Sequence, residues 1–293
     1  MDLDGDGAID ILSGCYSRHD PDMAGLFWLL RGSKGGAFQK AVEVCSADGK
    51  PLLLTPRGDR GDAIIEKICT RPFAADLDGD GKLDLVVGNF AGTFAFYRGE
   101  GGGRFAAAHS WLERDGKPLQ VDMHGDPCLV DWDGDGDLDL VSGSAMGGVF
   151  LFVNEGTKTA PKWGSKQTLL EKSGGHGMPS GEIEFGDAHI AGPQSATRVW
   201  VDDVDGDGKL DLLIGDSTTI RTPAAGLTEA AAREQHAAWA KKLEELGKKQ
   251  AADASGDKQP DEKMQKAYAA LWQEEEKILT SRMTGFVWLL RQK

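Results

Sequence analysis

No apolar run in the 293 residues approaches the ~20 needed to span a bilayer. The longest, such as Leu26–Leu30 and Phe286–Leu290, are a quarter of that, so a helical membrane span is excluded. No secretory leader is visible in this numbering, because Met1 is followed at once by an acidic motif. Cysteine is scarce. Cys15, Cys45, Cys69 and Cys128 form no Cys-x-x-Cys pair, which argues against zinc and leaves two disulfides and four free thiols both open. Basic residues are outnumbered 33 to 47, for a net charge of −14, so the basic footprint of a nucleic-acid partner is missing. An excess of carboxylate points instead to cations or basic partners.

Glycine is abundant, 40 residues where about half that would be usual. Much of it belongs to one phrase repeated four times: Asp2-Leu-Asp4-Gly-Asp6-Gly-Ala-Ile-Asp10, then the same frame from Asp76 to Asp84, Asp131 to Asp139 and Asp203 to Asp211. The first aspartates lie 74, 55 and 72 residues apart. Four copies of Asp-x-Asp-Gly-Asp-Gly-x-x-Asp are not an accident of composition, and repetition on this scale decides the fold. Each copy runs into a short apolar stretch ending in Gly14, Gly88, Gly143 or Gly215. After the first three comes a second apolar stretch, then a turn to an aromatic. With the apolar residues ahead of each later loop (Phe73–Ala75, Leu129–Val130, Val199–Val201), every unit offers about four strands. Four strands per unit predict an all-β fold, a β-propeller of four-stranded blades.

Four units are visible, the first and last incomplete. The first lacks its leading strand, and the last stops after its third, Phe286–Leu290. Either the sequence is part of a larger ring, or the ring stays open, or another chain completes it. Residues 1–227 are assigned to the propeller units. Thr228–Thr280 holds twelve alanines and two glycines and reads as an inserted α-helical hairpin. Its first helix carries Trp239, Leu243 and Leu246 on one face and is expected to stop at Gly247; its second opens at Pro260 and Asp261. Residues 281–293 then supply the last strand of the fourth blade, since Thr284-Gly-Phe-Val-Trp-Leu-Leu-Arg291 restores the phrase of Ala24–Arg31.

Carboxylates at positions 1, 3, 5 and 9 of a tight loop repel one another unless a hard dication sits among them. Calcium suits better than magnesium, because the loop supplies nearly all the oxygens. Glycine at position 6 allows the reversal that turns the position-7 carbonyl inward. The loops are not EF-hands: position 12 is Ser13, Val87, Ser142 or Ile214 rather than glutamate, and a strand follows.

On these residues the sequence resembles the VCBS and FG-GAP repeat family of calcium-loop propellers, over most of the chain outside 228–280. Lacking Gly-Ala-Pro after the second strand, it looks closer to the VCBS type. The resemblance implies about four calcium sites. Their ligands would be Asp2, Asp4, Asp6 and Asp10; Asp76, Asp78, Asp80 and Asp84; Asp131, Asp133, Asp135 and Asp139; and Asp203, Asp205, Asp207 and Asp211. Backbone carbonyls would come from Ala8, Lys82, Asp137 and Lys209. It also implies an extracellular, periplasmic or cell-surface location.

Other motifs carry less. Arg57-Gly-Asp59 and Arg60-Gly-Asp62 match an adhesion tripeptide that chance supplies in a chain this rich in glycine and aspartate. Gly215-Asp-Ser217 has only His236 downstream and reads as a strand-end turn. Trp28, Trp132, Trp200 and Trp288 fall at strand positions and are expected in the core. His124 and His176 sit in glycine-rich loops as surface histidines. Five residues before each later loop stand Arg71, Asp126 and Arg198. In a propeller these begin the innermost strands, where Arg71, His124 and Arg198 are candidates for an anionic ligand face; salt bridges between blades are the competing assignment. The sequence therefore reads as a non-catalytic, calcium-binding module for protein or carbohydrate ligands. The alternatives are a propeller-type enzyme such as a polysaccharide lyase, and an assembly module that self-associates through 228–280 or across the open seam.

Overall fold

The computed structural model describes residues 1–15, 26–54, 66, 68–172, 183–253 and 262–292. The adhesion-like tripeptides, His176 and the Pro260–Asp261 helix start lie outside them. The chain divides into two compact units. One comprises Met1–Ser173, Pro193–Asp216 and Val287–Lys293; the other comprises Gly174–Gly192 and Ser217–Phe286.

The first unit holds four antiparallel blades arranged as a β-propeller. Blade 1 is β1 (Ile11–Ser13), β2 (Trp28–Leu30) and β3 (Val42–Glu43). Blade 2 is built on β4 (Arg71–Ala75), β5 (Asp84–Gly88) and β6 (Phe94–Tyr97). A small hairpin, β7 (Gly99–Gly101) with β8 (Arg104–Phe105), precedes its edge strand β9 (Ser110–Trp111). A second hairpin, β10 (Glu113–Arg114) with β11 (Lys117–Pro118), follows. Blade 3 is β12 (Asp126–Val130), β13 (Asp139–Gly143), β14 (Val149–Phe152) and β15 (Gln167–Leu170), in that order. Blade 4 starts with β16 (Ser195–Asp202) and β17 (Asp211–Pro223).

The period-2 alternation of each strand sends successive side chains to the two neighbouring blades. In blade 2, Leu85, Val87, Ala95 and Tyr97 pack toward Leu3, Phe27 and Leu29 of blade 1. Val86 and Phe94 pack toward Leu140, Phe150 and Phe152 of blade 3. Val141, Val149 and Leu151 then meet Val199, Val201, Leu212 and Ile214 of blade 4. The middle strands β5 and β13 are therefore buried on both faces along their whole length.

The two end blades leave one face open. Trp200 stands at the loop offset of Phe73 and Cys128, yet is 51% exposed, contrary to the core position its strand suggested. Its ring lies 6.1 Å from that of Phe73 of blade 2, which covers only part of it. At the other end Ile11, equivalent to the buried Leu85, Leu140 and Leu212, is also exposed.

In the second unit, β17 continues as Thr218–Pro223 against β18 (Leu279–Thr284), which links the helices back to the blade. Within the first unit β17 pairs with β19 (Val287–Leu290). The helices are α1 (Glu229–Asp253) and α2 (Glu262–Glu275). Thr228 caps α1 through Oγ1, which accepts from Ala231 N at 3.3 Å. Gly247 does not end α1. A mid-helix glycine costs only ~1 kcal/mol, and six further residues continue the helix past it. The apolar stripe closes as its spacing predicts: Trp239 and Leu243 are buried with Ile278, beside Leu271 and Tyr268. Trp239 Nε1 donates to Leu271 O at 2.8 Å. The unit is wider than the two helices, since Ile183 is buried in the same cluster and Phe185 packs against it. All four cysteines are free thiols.

Blade spacing depends on one glycine in each of the first three blades. A Cβ on Gly14, Gly88 or Gly143 would sit 1.8, 2.1 or 2.3 Å from the backbone oxygen of Thr70, Gly125 or Thr197, the start of the next blade. Gly215 occupies the same position in blade 4, where the nearest atom would be Arg198 Cβ at 3.9 Å. Gly143→Ala should therefore destabilise the propeller by ~2–3 kcal/mol, as overpacking against backbone does, whereas Gly215→Ala should fall within ~0.5 kcal/mol of wild type. Urea denaturation of the two variants checks this, and equal effects would show that the close approach does not set blade spacing.

Candidate metal loops and the channel-side charge cluster

Each Asp loop joins the first and second strand positions of a blade. Two glycines per loop, not one, hold a positive φ: Gly5 and Gly7, Gly79 and Gly81, Gly134 and Gly136, Gly206 and Gly208, all between 71° and 95°. This left-handed backbone turns successive amides inward. The position-1 carboxylate collects them. Asp2 accepts from Gly5, Asp6 and Gly7 at 2.8, 3.1 and 2.8 Å. Asp203 accepts from Gly206, Asp207 and Gly208 at 2.7, 3.0 and 2.9 Å. Position 5 accepts from the amide two residues on, as in Asp6 with Ala8 at 2.8 Å and Asp135 with Asp137 at 3.1 Å.

The ninth position does something that spacing alone did not reveal. Asp10, Asp84, Asp139 and Asp211 are at most 4% exposed. One oxygen of each accepts a backbone amide from the end of the third strand. Gly32 donates to Asp10 at 2.8 Å, Gly99 to Asp84 at 2.6 Å, Asn154 to Asp139 at 2.7 Å and Gln292 to Asp211 at 3.1 Å. In the first three blades the other oxygen accepts from loop position 2: Leu3, Leu77 and Trp132, at 3.0, 2.9 and 2.8 Å. Burial pushes the Asp84 and Asp139 carboxyls up, opposed by these amide hydrogen bonds.

Three carboxylates converge in every loop, with ligand oxygens within 4.8 Å of one another. In the first and fourth loops they belong to positions 1, 3 and 5: Asp2, Asp4 and Asp6, and Asp203, Asp205 and Asp207. In the second and third the trio is positions 1, 3 and 9: Asp76, Asp78 and Asp84, and Asp131, Asp133 and Asp139. Asp10, Asp80, Asp135 and Asp211 thus stand outside the tight triads of their own loops. At that separation a like-charge pair costs ~3 kcal/mol at an effective dielectric of 20. Three buried carboxylate oxygens, Asp76 Oδ1, Asp137 Oδ1 and Asp211 Oδ2, meet no hydrogen-bond donor. An all-carboxylate oxygen set with orphaned acceptors fits a hard cation.

Residues 76–124 and 131–214 match the family model of the FG-GAP-like repeat, spanning the second, third and fourth Asp loops. Over these residues the chain is similar to the FG-GAP-like repeat, and its blades are those of an FG-GAP-like propeller. No curated protein matches it. FG-GAP propellers are in general binding or scaffolding modules. No helix among the described residues is long and apolar enough to cross a membrane.

At the start of the innermost strands, Asp126 lies between two guanidinium groups. Arg71 Nε is 3.6 Å and Arg198 Nε 3.9 Å from its Oδ1, so blades 2, 3 and 4 each contribute one charge. Arg71 Nη2 lies 3.2 Å from His124 Nδ1. Burial, and then the Arg198 charge, bring Arg71 down to about 10, still protonated at neutral pH. Its Nη1 is buried with no hydrogen-bond partner. A cavity of about 370 Å³ opens beside it, lined by Leu12 to Cys15, Cys69 to Pro72 and Asp126.

The clamp and the exposed ligand positions separate experimentally. In chelator, Asp139→Asn should lower propeller stability by ~2–3 kcal/mol, because the new amide group opposes buried backbone donors. Asp135→Asn, on an exposed side chain, should change it by less than ~0.5 kcal/mol. Paired urea melts decide, and equal losses would remove the structural role of the ninth position.

Proposed function

We propose that the chain is a calcium-stabilised, non-catalytic β-propeller that presents a ligand face for a protein or carbohydrate partner in an extracellular, periplasmic or surface setting. The observation that carries this reading is the convergence of three carboxylates in each of four equivalent loops. Residues at positions 1, 3, 5 and 9 of each loop, with the position-7 carbonyls of Ala8, Lys82, Asp137 and Lys209, would hold the ion. Calcium accepts such sets of six to eight oxygens, whereas magnesium demands a stricter octahedron and retains its waters. Bound calcium would neutralise the loop carboxylates and so secure the strand ends that they hold. The helical hairpin of 228–280 is an insertion into the fourth blade that leaves the propeller core independent of it.

The ligand face lies at the Arg71, His124 and Arg198 cluster. Two guanidinium groups share one carboxylate there, and the orphaned Arg71 Nη1 favours an anionic group on the ligand. Citrate serves as a probe: calorimetric titration should detect binding to wild type and none to Arg71→Gln, and equal binding would move the ligand face elsewhere.

Calcium removal tests the main reading. Loops of the extracellular type bind with dissociation constants near 10⁻⁴–10⁻³ M, and each site held at 100-fold saturation adds ~2.7 kcal/mol. The melting temperature of the full chain should fall by many degrees between saturating calcium and excess chelator. An unchanged melting curve would overturn the calcium reading.

A further inference from the structure

The loops differ in what stands over them. The residue just before each clamp amide is Arg31, Arg98, Val153 or Arg291, one per blade and in the same register. Arg31 pairs with Asp4 in the first loop. Arg98 places Nε 3.1 Å from Asp78 Oδ2 and Nη2 3.1 Å from Asp80 Oδ2 in the second. Arg291 Nε lies 3.4 Å from Asp205 Oδ2 in the fourth. The position-3 aspartate is thus engaged by a guanidinium in three loops out of four. The second loop gathers two more cations: Lys82 Nζ is 3.4 Å from Asp80 and Lys158 Nζ 3.6 Å from Asp76. The third loop has valine at the arginine position. Among the described ion pairs none reaches Asp131, Asp133, Asp135 or Asp139, and Asp137 adds a fifth carboxylate.

We propose that Arg31, Arg98 and Arg291 are built-in counter-ions that compete with the divalent cation, so that the four loops are graded in affinity. The third loop fills first and the second last. The inference rests on the calcium reading above. A guanidinium on the position-3 carboxylate occupies an oxygen the ion needs and cancels part of the field that attracts it, and it must swing away before that oxygen can bind metal. In exchange it holds the ion-free loop against carboxylate repulsion. Loops 1, 2 and 4 are therefore tolerant of calcium loss, whereas the third is a dedicated high-affinity site whose ion is the last to leave.

The test uses the full chain, stripped of metal, with calorimetric calcium titration and terbium luminescence. Trp132 lies within the third loop, where the other loops carry Leu3, Leu77 and Val204, so the luminescence component that disappears in Trp132→Phe reports that loop. That component should saturate at the lowest terbium concentration. Val153→Arg should weaken the tightest calcium site at least tenfold, and Arg98→Val should tighten the weakest by a similar factor. Val153 packs against core residues, so if its variant does not fold, Arg98→Val and Arg291→Val carry the test, both on side chains about 60% exposed. If four ions bind with constants that none of these substitutions moves, the grading fails and the calcium reading stands. If the wild type binds no ion, both fail together.

Discussion

The buried carboxylate at the ninth loop position is the interaction on which the propeller depends. Asp10, Asp84, Asp139 and Asp211 each reach one oxygen to the end of the third strand, and the first three reach the other to the start of their own loop. A charge taken out of water is expensive unless it is hydrogen-bonded, and backbone amides are the donors a strand end has to spare. One side chain thus satisfies orphan amides at two places and fixes how the loop sits across the blade. The blade's strands are short, three to five residues in blades 1 to 3 apart from the smallest edge strands, and hydrogen-bond ladders of that length need such a fastening.

Blade-to-blade packing takes over where the clamp ends. From the clamped aspartate the second strand runs inward through two or three apolar residues to the close-approach glycine. Leu85, Val86 and Val87 lead to Gly88; Leu140 and Val141 lead, past Ser142, to Gly143. Alternation sends these residues to opposite neighbours, and the glycine lets the next blade's innermost strand begin in backbone contact. Loop, strand and inter-blade contact are therefore one continuous device of about a dozen residues, which is why the repeated phrase is so strictly kept. Blade 4 retains its part of that device in register, with Trp200 beside Phe73 of blade 2 and Gly215 paired with Val287, but no backbone approaches Gly215 as closely as the next blade approaches Gly88 or Gly143.

Most of this was legible in the sequence where a residue's role follows from its spacing. Four Asp loops, the strands flanking them and the helical hairpin all follow from periodicity and turn residues. What spacing could not show is which oxygen of which aspartate faces inward. Positions 1, 3, 5 and 9 look alike as letters, but in blades 2 to 4 position 9 is the first residue of the second strand, whereas position 5 lies on the turn. The clue was present in the apolar residues that follow position 9 immediately; Leu85, Leu140 and Leu212 draw that aspartate into the core, whereas Ile11 in the first blade stays exposed although Asp10 is buried. The second positive-φ glycine was equally readable from its recurrence at position 4. Gly247 misled because a glycine in open space inside an alanine-rich helix costs little, and the helix has Trp239 and Leu243 to anchor it.

Arginine over the loops and burial of the clamp act on the same electrostatic problem from two sides. Burial pushes Asp84 and Asp139 up, against the amide hydrogen bonds they accept, and both belong to converging triads, so positive charge close by would relieve the repulsion in these two loops. In blade 2 that charge stands on the chain's own side chains, Arg98, Lys82 and Lys158. In blade 3 no basic side chain among the described residues supplies it, although the clamp geometry there is equally tight, at 2.7 and 2.8 Å. Two loops with the same backbone and the same clamp thus differ in their compensating charge: one carries it in its own side chains, and the other has none among the described residues, which under the proposed calcium reading leaves the ion to supply it. Blade 3 lies between blades 2 and 4 and bears Asp126, the carboxylate that both channel-side arginines share. The blade whose loop lacks a basic partner among the described residues is therefore also the one that positions the charge cluster at the opposite end of its strands.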